Sequence, residues 1–154
     1  MRVPDLIRAI ASVVDDVPGI ARAYYPAPNT LKAGTLPVVV LYWTGNEPTT
    51  ITHQSPDEQM WVGTVTGHLI TARAGDTPQE FARVDDLIVP LVDAFAMDAE
   101  GQTVVERHPE RFGYGVYRCL ITAVNPTQRI PFAGQDYYGA ELSWSFRLDR
   151  NTGS

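Results

Sequence analysis

The side chains best suited to chemistry in this sequence are three histidines and a single cysteine: His53, His68, His108 and Cys119. No two of them have the spacing of a helical metal site or of a cysteine-rich zinc site. Arg118 could lower the pKa of the Cys119 thiol, but a cysteine within an apolar strand is more typical of a small buried side chain. The sequence therefore favours a structural Cys119 over a nucleophile.

The histidines give no stronger indication of catalysis. His53 and His108 fall in polar segments and are typical of solvated surface residues, whereas His68 falls in a strand and fits a hydrogen-bonded sheet position. The sequence contains no Gly-x-Ser-x-Gly elbow and no glycine-rich phosphate loop. We therefore assign no catalytic residue, no cofactor and no metal ligand. A small α+β enzyme or ligand-binding domain that uses His68 or Cys119 remains the alternative.

Length and composition indicate one globular domain. The chain has 154 residues, of which 44% are hydrophobic and 19% charged, a balance typical of folded domains. We expect one domain over residues 1–154, with a short polar tail from about 150. No apolar run is long enough to cross a bilayer, and the first residues lack the basic-then-apolar pattern of a secretory signal, so we expect no membrane partner. The single cysteine excludes an internal disulfide and agrees with assembly in the cytoplasm.

The negative charge is concentrated in one part of the chain. The formal net charge is −6, which argues against a protein that grips duplex DNA through clustered lysines and arginines. Residues 76–100 contain Arg83 and seven acidic residues, and so account for the whole net charge: Asp76, Glu80, Asp85, Asp86, Asp93, Asp98 and Glu100. Asp86 and Asp93 mark the expected outer face of a helix. That face is either a solvated surface or a surface turned towards DNA or a basic partner.

Hydrophobic periodicity predicts the order α-β-β-β-α-β-β. Apolar spacing predicts helices over 4–16 and from the Thr77 capping box to Phe95, and strands over 20–25, 36–43, 58–74, 114–124 and 138–148. Residues 44–57, 99–113 and 125–136 are rich in turn-forming or charged residues and are predicted as loops. This order predicts an α+β fold: a mainly antiparallel mixed sheet of about four to five strands, with both helices packed on one face.

Adjacent aromatic residues suggest interaction surfaces. Neighbours in a strand face opposite sides, so one member of each pair Tyr24-Tyr25, Tyr42-Trp43 and Tyr137-Tyr138 is expected to face away from the core. Exposed aromatics are typical of protein interfaces, but a core on both sides of the sheet would bury both members. Together with residues of the predicted loops, these give the candidate interface residues Tyr25, Trp43, Thr50, His53, Arg129, Phe132 and Tyr137.

Several segments of the chain follow one another in a characteristic order. An N-terminal amphipathic helix leads into VPGIARAYYPAP and the apolar strand LPVVVLYW. A long strand and the helix TPQEFARVDDLIVPLVDAFA follow, and the chain closes with YRCLITAV and YYGAELSWSFRL. In the order and length of these segments, over most of the chain, the sequence resembles the tail terminator, or tail completion, proteins of long-tailed bacteriophages.

The resemblance implies a structural role in the virion without catalysis. Such proteins form a hexameric ring that caps the head-proximal end of the tail tube, ends its polymerisation and joins it to the head-tail connector. The implied partners are further copies of this chain, the major tail tube protein, the connector protein, and genomic DNA passing through without sequence-specific binding. An acidic lumen would suit that passage. The resemblance also implies synthesis in the host cytoplasm, and leaves a head-closure or neck ring protein as the nearest alternative.

Overall fold

A six-stranded mixed sheet forms the centre of the protein in a computed structural model that describes residues 2–43, 49–75, 79–113 and 115–151. The strands are β1 (Arg22–Tyr24), β2 (Val38–Tyr42), β3 (Thr50–Ser55), β4 (Glu58–Arg73), β5 (Val116–Phe132) and β6 (Gln135–Asn151). Their spatial order is β1-β2-β4-β6-β5, and β3 pairs with β4 beyond the end of β2. Only the β1–β2 pair is parallel. The sheet has more strands than the four to five predicted.

Helices cover one face of this sheet, as the sequence predicts for an α+β domain. They are α1 (Val3–Asp15), α2 (Gln79–Phe95), α3 (Val104–Arg107) and α4 (Pro109–Phe112). Buried residues of all four belong to one apolar cluster that they share with the sheet. The fold is therefore a single α+β domain with its main core between the helices and the sheet.

Helix α1 confirms the prediction from its apolar spacing. Leu6, Ile7, Ile10 and Val14 are fully buried, and they repeat at the interval of three or four residues that puts them on one side of a helix. The helix begins and ends one residue earlier than predicted. Burial of this apolar side fixes α1 against the sheet.

Helix α2 also follows its predicted core positions. Val84, Leu91 and Phe95 are buried, and the helix continues through Pro90. The apolar spacing predicts Ile88 as the core residue of the middle turn. In the structure Leu87 is buried there instead, and Ile88 is half-buried. The predicted capping box begins at Thr77, which lies outside the described residues.

Strand β4 has the alternation that the sequence predicts. Val65 and Leu69 face the helices and are fully buried, with Gly67 between them. A methyl group on Gly67 would lie 2.6 Å from the Trp144 ring of β6 and 2.9 Å from Leu41. Glycine here allows the large indole of Trp144 to fill the centre of the core.

Two of the predicted loops are largely strands. Residues 50–55 of the predicted 44–57 loop form β3, while residues 44–48 lie outside the described part of the chain. Residues 125–132 continue β5, and a two-residue turn at Ala133-Gly134 leads directly into β6. The prolines of this segment are tolerated because β5 is an edge strand of the sheet, where a missing N–H need not break a ladder on both sides.

The third predicted loop, residues 99–113, contains α3 and α4. Each is a single turn of helix, too short for any periodic apolar pattern. Thr103 caps α3 by accepting a hydrogen bond from the backbone N–H of Glu106 at 3.3 Å. Val104 and Phe112 are fully buried, so this segment completes the main core and is not a free charged loop.

A second apolar cluster lies on the opposite face of the sheet. It contains the buried residues Leu31, Val38, Val40, Ile70, Ile130 and Tyr137. Leu31 comes from the connection between β1 and β2, which folds over this face. The sheet therefore has a core on both sides at one end, and its unbroken apolar strand β2 is buried on both faces.

Candidate functional site

The outer face of α2 carries Asp86 and Asp93, the two acidic residues predicted to lie there, and Asp85 is exposed beside them. The three carboxylates surround Val89, which is 61% exposed. On a helix, residues three or four positions apart are neighbours, so these three carboxylates border one apolar side chain. We call Asp85, Asp86, Val89 and Asp93 the acidic face.

Asp98, another acidic residue of the same segment, has a local structural role. Its Oδ1 accepts hydrogen bonds from the backbone N–H groups of Glu100 at 3.0 Å and Gln102 at 2.8 Å. It also lies 3.9 Å from the Arg107 guanidinium. Asp98 therefore orders the turn that follows α2 and does not extend the acidic face.

Arg107 and Arg111 tie the short helices to the long ones. The Arg107 guanidinium donates to the backbone carbonyls of Ala94 and Ala96 at the end of α2 and of Gln102 in the turn before α3. Arg111 donates to the Ser12 carbonyl at 3.0 Å and pairs with Asp16 at the end of α1. Sequence reasoning missed both contacts. Their only sequence signal is the two arginines within the charged run 106–111, which does not specify a partner.

A groove lies between these helices. Its volume is about 340 Å³, and its charged lining includes Asp16, Asp93, Arg107, His108 and Arg111. The structure places His108 here with a side chain 30% exposed, and its Nδ1 lies 3.8 Å from Glu110. Arg107 and Arg111 already bind backbone carbonyls and Asp16, so their positive charge is largely used within the fold.

A second groove runs along the start of β5, beneath the end of α2. Its outer part is about 440 Å³ in volume and is lined by Met97, Thr103, Tyr117, Arg118, Leu120 and Arg147. Its inner part, about 290 Å³, shares four of these residues and reaches Phe95, Ala96 and Cys119. We call these residues together the arginine groove. It combines an apolar floor with two arginines at its rim.

The rim of the arginine groove is open to solvent. Met97 is 66% exposed, Tyr117 is 55% exposed, and Arg118 is exposed as well. The Arg147 guanidinium lies 5.5 Å from the centre of the Tyr117 ring and pairs with Asp149 at 3.4 Å. An exposed aromatic and an exposed methionine beside arginine are typical of protein interfaces.

Cys119 lies on the floor of this groove and is 2% exposed. Burial raises the pKa of the thiol well above its ordinary value. The expected effect of the neighbouring Arg118, a lowered pKa, is therefore outweighed by loss of hydration of the thiolate. The side chain remains a protonated, buried thiol, as the sequence predicts.

His68 lies on the other face of the sheet, away from the helices. Its Nε2 is 3.5 Å from Glu141 on β6, and its ring meets the Tyr42 ring edge-on at a centroid distance of 5.0 Å. Burial raises the pKa of Tyr42. These contacts place His68 in the sheet between neighbouring strands, on the opposite face from Cys119. The predicted hydrogen-bonded position is wrong for Nδ1, which is buried and has no hydrogen-bond partner among the described residues.

The candidate interface residues divide into three groups. Thr50, His53 and Arg129 are exposed; Tyr25, Trp43 and Phe132 are half-buried against the two apolar clusters. Tyr137 is 3% exposed and Tyr138 is also buried, so neither member of this pair faces solvent. Tyr137 therefore offers no surface to a partner.

The geometry of the described residues brings no three His, Cys, Asp or Glu side chains together in a way that could hold a metal ion. None of the helices in the described ranges is long and apolar enough to span a membrane. Comparison with protein-family models and with curated sequences finds no match for this chain.

The two most distinctive surfaces of the protein are therefore the acidic face and the arginine groove. The acidic face could be predicted from the sequence, because the repeating apolar residues of α2 mark its buried side and so place the clustered carboxylates on its exposed side. The arginine groove does not. It joins the end of α2 to a strand about 20 residues further along the chain, and only the packing of α2 on β5 brings Met97 beside Arg118.

Proposed function

We propose that this chain is a structural ring protein of a long-tailed bacteriophage, which caps the tail tube and joins it to the head connector. The observation that carries the proposal is the fold. A single α+β domain with an N-terminal helix, a mainly antiparallel sheet and one long helix is the architecture that the resemblance implies. The surfaces described above supply means of contact with other protein chains.

The chemistry of the best candidate nucleophile gives the enzyme alternative little support. A nucleophilic cysteine is exposed and partly ionised, whereas Cys119 is buried and its pKa is raised. His68 lies across the sheet from it, so the two side chains do not form a pair. The proposed role needs neither residue to react.

The exposed interface candidates give this proposal a testable geometry. Thr50 and His53 lie on β3, at one end of the sheet, and Arg129 lies near the β5–β6 turn at the other. A ring subunit between a tube and a connector needs two such opposed ends. We assign these ends to contacts along the tube axis.

Tube assembly provides the test. Tubes of the major tail tube protein are grown with and without the chain, and their ends and lengths are measured by negative-stain electron microscopy. We expect added density at one end and an arrest of growth at substoichiometric amounts of chain. We expect Arg129→Glu to weaken capping, while Arg8→Glu, an equal charge change at an exposed position on α1, leaves capping intact.

Two results would contradict the proposal. Tubes whose ends and lengths do not respond to the chain would exclude a terminator. Binding to the connector protein without binding to the tube would favour a head-closure or neck ring protein instead.

A further inference from the structure

The acidic face and the arginine groove are complementary in both charge and shape. The acidic face presents one exposed apolar side chain, Val89, bordered by three carboxylates. The arginine groove presents an apolar hollow bordered by Arg118 and Arg147. Each surface thus has an apolar centre and a charged rim, and the rims have opposite signs. This is the arrangement of a protein interface, with a dry centre and a polar surround.

We propose that the arginine groove of one copy of this chain binds the acidic face of α2 in a second copy. This inference rests on the proposed function and names the contact between neighbouring subunits of the ring. Val89 enters the groove between Met97 and Tyr117, and the carboxylates around it meet the arginines. Because two different surfaces meet, each copy can use its groove for one neighbour and its acidic face for another. Repetition of this head-to-tail contact closes a ring when the rotation between copies allows it.

The distribution of charge favours a second copy as the occupant. The segment 76–100 carries the whole net charge of the chain, so the rest of the chain is balanced overall. In a free chain the three carboxylates of the acidic face and the exposed guanidinium of Arg118 therefore both lie on the surface, whereas Arg147 already pairs with Asp149. Pairing these surfaces between copies brings opposite charges together and covers Val89, Met97 and Tyr117, the three most exposed of the large hydrophobic side chains among the described residues.

The contact also assigns a position to the acidic face. A face buried between neighbouring subunits lines neither the lumen nor the exterior of a ring. Asp86 and Asp93 would then hold subunits together, and they would not act mainly by repelling passing DNA.

Paired charge reversals test this contact. Asp93→Lys reverses charge on the acidic face and Arg118→Glu reverses charge at the groove, and association is measured by sedimentation velocity over a range of protein and salt concentrations. We expect the native chain to self-associate, more weakly as salt rises. Each single variant should raise the dissociation constant at least about tenfold.

Mixing the two variants gives the decisive result. In an equimolar mixture, the reversed face of one variant can meet the reversed groove of the other, and the two unaltered surfaces can meet each other. Association should therefore return in the mixture although each variant alone fails. Val89→Arg should also abolish association. The fold should be kept, because the new arginine would lie four residues from both Asp85 and Asp93 and can pair with them on the helix surface.

Matched controls separate the contact from a general charge effect. Glu58→Lys and Arg73→Glu make the same charge changes at exposed positions at the two ends of β4, and both should associate as the native chain does. Circular dichroism and urea unfolding verify that every variant is folded.

Three results would overturn the contact: a native chain that remains monomeric at all concentrations, single variants that associate normally, or a mixture without rescue. If tubes are capped but the reversals have no effect, the contact is wrong and the proposed function stands. If mixing rescues association but tubes are not capped, the contact stands and the proposed function is wrong.

Discussion

Replacing Arg107 with alanine should release the end of α2, because this side chain alone holds three backbone carbonyls. Its guanidinium donates to the carbonyl oxygens of Ala94 at 2.9 Å, Ala96 at 3.0 Å and Gln102 at 2.7 Å. The last carbonyls of a helix have no partner within the helix itself. Without Arg107, the carbonyl oxygens of Ala94 and Ala96 lose this donor, whereas that of Gln102 keeps the backbone N–H of Asp98 at 3.0 Å.

The expected loss follows from these three hydrogen bonds, reduced by two opposing effects. A hydrogen bond to a charged group contributes about 1.5–3 kcal/mol, so three independent bonds would give roughly 5–9 kcal/mol. Ordering a long arginine side chain costs about 2 kcal/mol, which offsets part of this gain. The side chain is 21% exposed, so water replaces some of the lost contacts. We expect Arg107→Ala to lower the free energy of unfolding by about 2–3 kcal/mol.

Urea unfolding followed by circular dichroism measures this change. Arg107→Lys is the informative comparison, because lysine keeps the charge but its compact ammonium cannot span carbonyls that the two guanidinium nitrogens reach separately. We expect lysine to recover less than half of the loss. Arg73→Ala is the matched control: Arg73 is exposed on β4, and its removal should change stability by less than about 0.5 kcal/mol.

Two outcomes would refute this reasoning. An Arg107→Ala variant within about 0.5 kcal/mol of the native chain would mean that these carbonyls are satisfied without the guanidinium. Full recovery by Arg107→Lys would mean that charge near the helix end, and not the forked geometry, supplies the stabilisation.

Three further predictions concern other parts of the fold. Gly139→Ala should destabilise the protein by at least about 2 kcal/mol in urea unfolding, because the added methyl overlaps the backbone oxygen of Leu69; Gly34→Ala, where the methyl meets open space, is its control, and equal stability of the two variants would contradict the close β4–β6 approach. Cys119 should resist a thiol reagent at neutral pH in the native protein and react after unfolding, since burial raises its pKa; rapid native labelling would show that the thiol is accessible. The backbone N–H of Arg2 lowers the pKa of Asp5 below its ordinary value of 3.8. The native protein should therefore be more stable than Asp5→Asn near neutral pH, and this difference should disappear as the pH falls through the lowered pKa. A difference that persists in acid would contradict this cause.

The elements that were predicted correctly are those whose side chains alternate or repeat over many residues. Strand β4 and the second half of β6 alternate because one face is buried under the helices, and α2 repeats its core residues because only one side of it meets the sheet. In each case apolar residues are required on the one face that the element buries. Their regular spacing therefore appears within the sequence of that single element.

The β5–β6 turn shows why other elements were missed. A two-residue hairpin turn of this kind needs positive φ at both central residues, and here these are Ala133 at 51° and Gly134 at 79°. Alanine is not a usual signal for that conformation, and Pro126 and Pro131 suggest a loop. Pairing with β6 over the whole length of the hairpin outweighs both local signals.

The sequence by itself determined the fold class, the long helix and its acidic outer face, and the structural character of Cys119. Only the tertiary structure decided that both Tyr137 and Tyr138 are buried, that Arg107 closes the end of α2, and that Met97 and Arg118 border one groove. The difference is physical. Periodic burial is recorded within a single element, whereas a second core, a capping arginine and a groove each depend on which distant elements pack together.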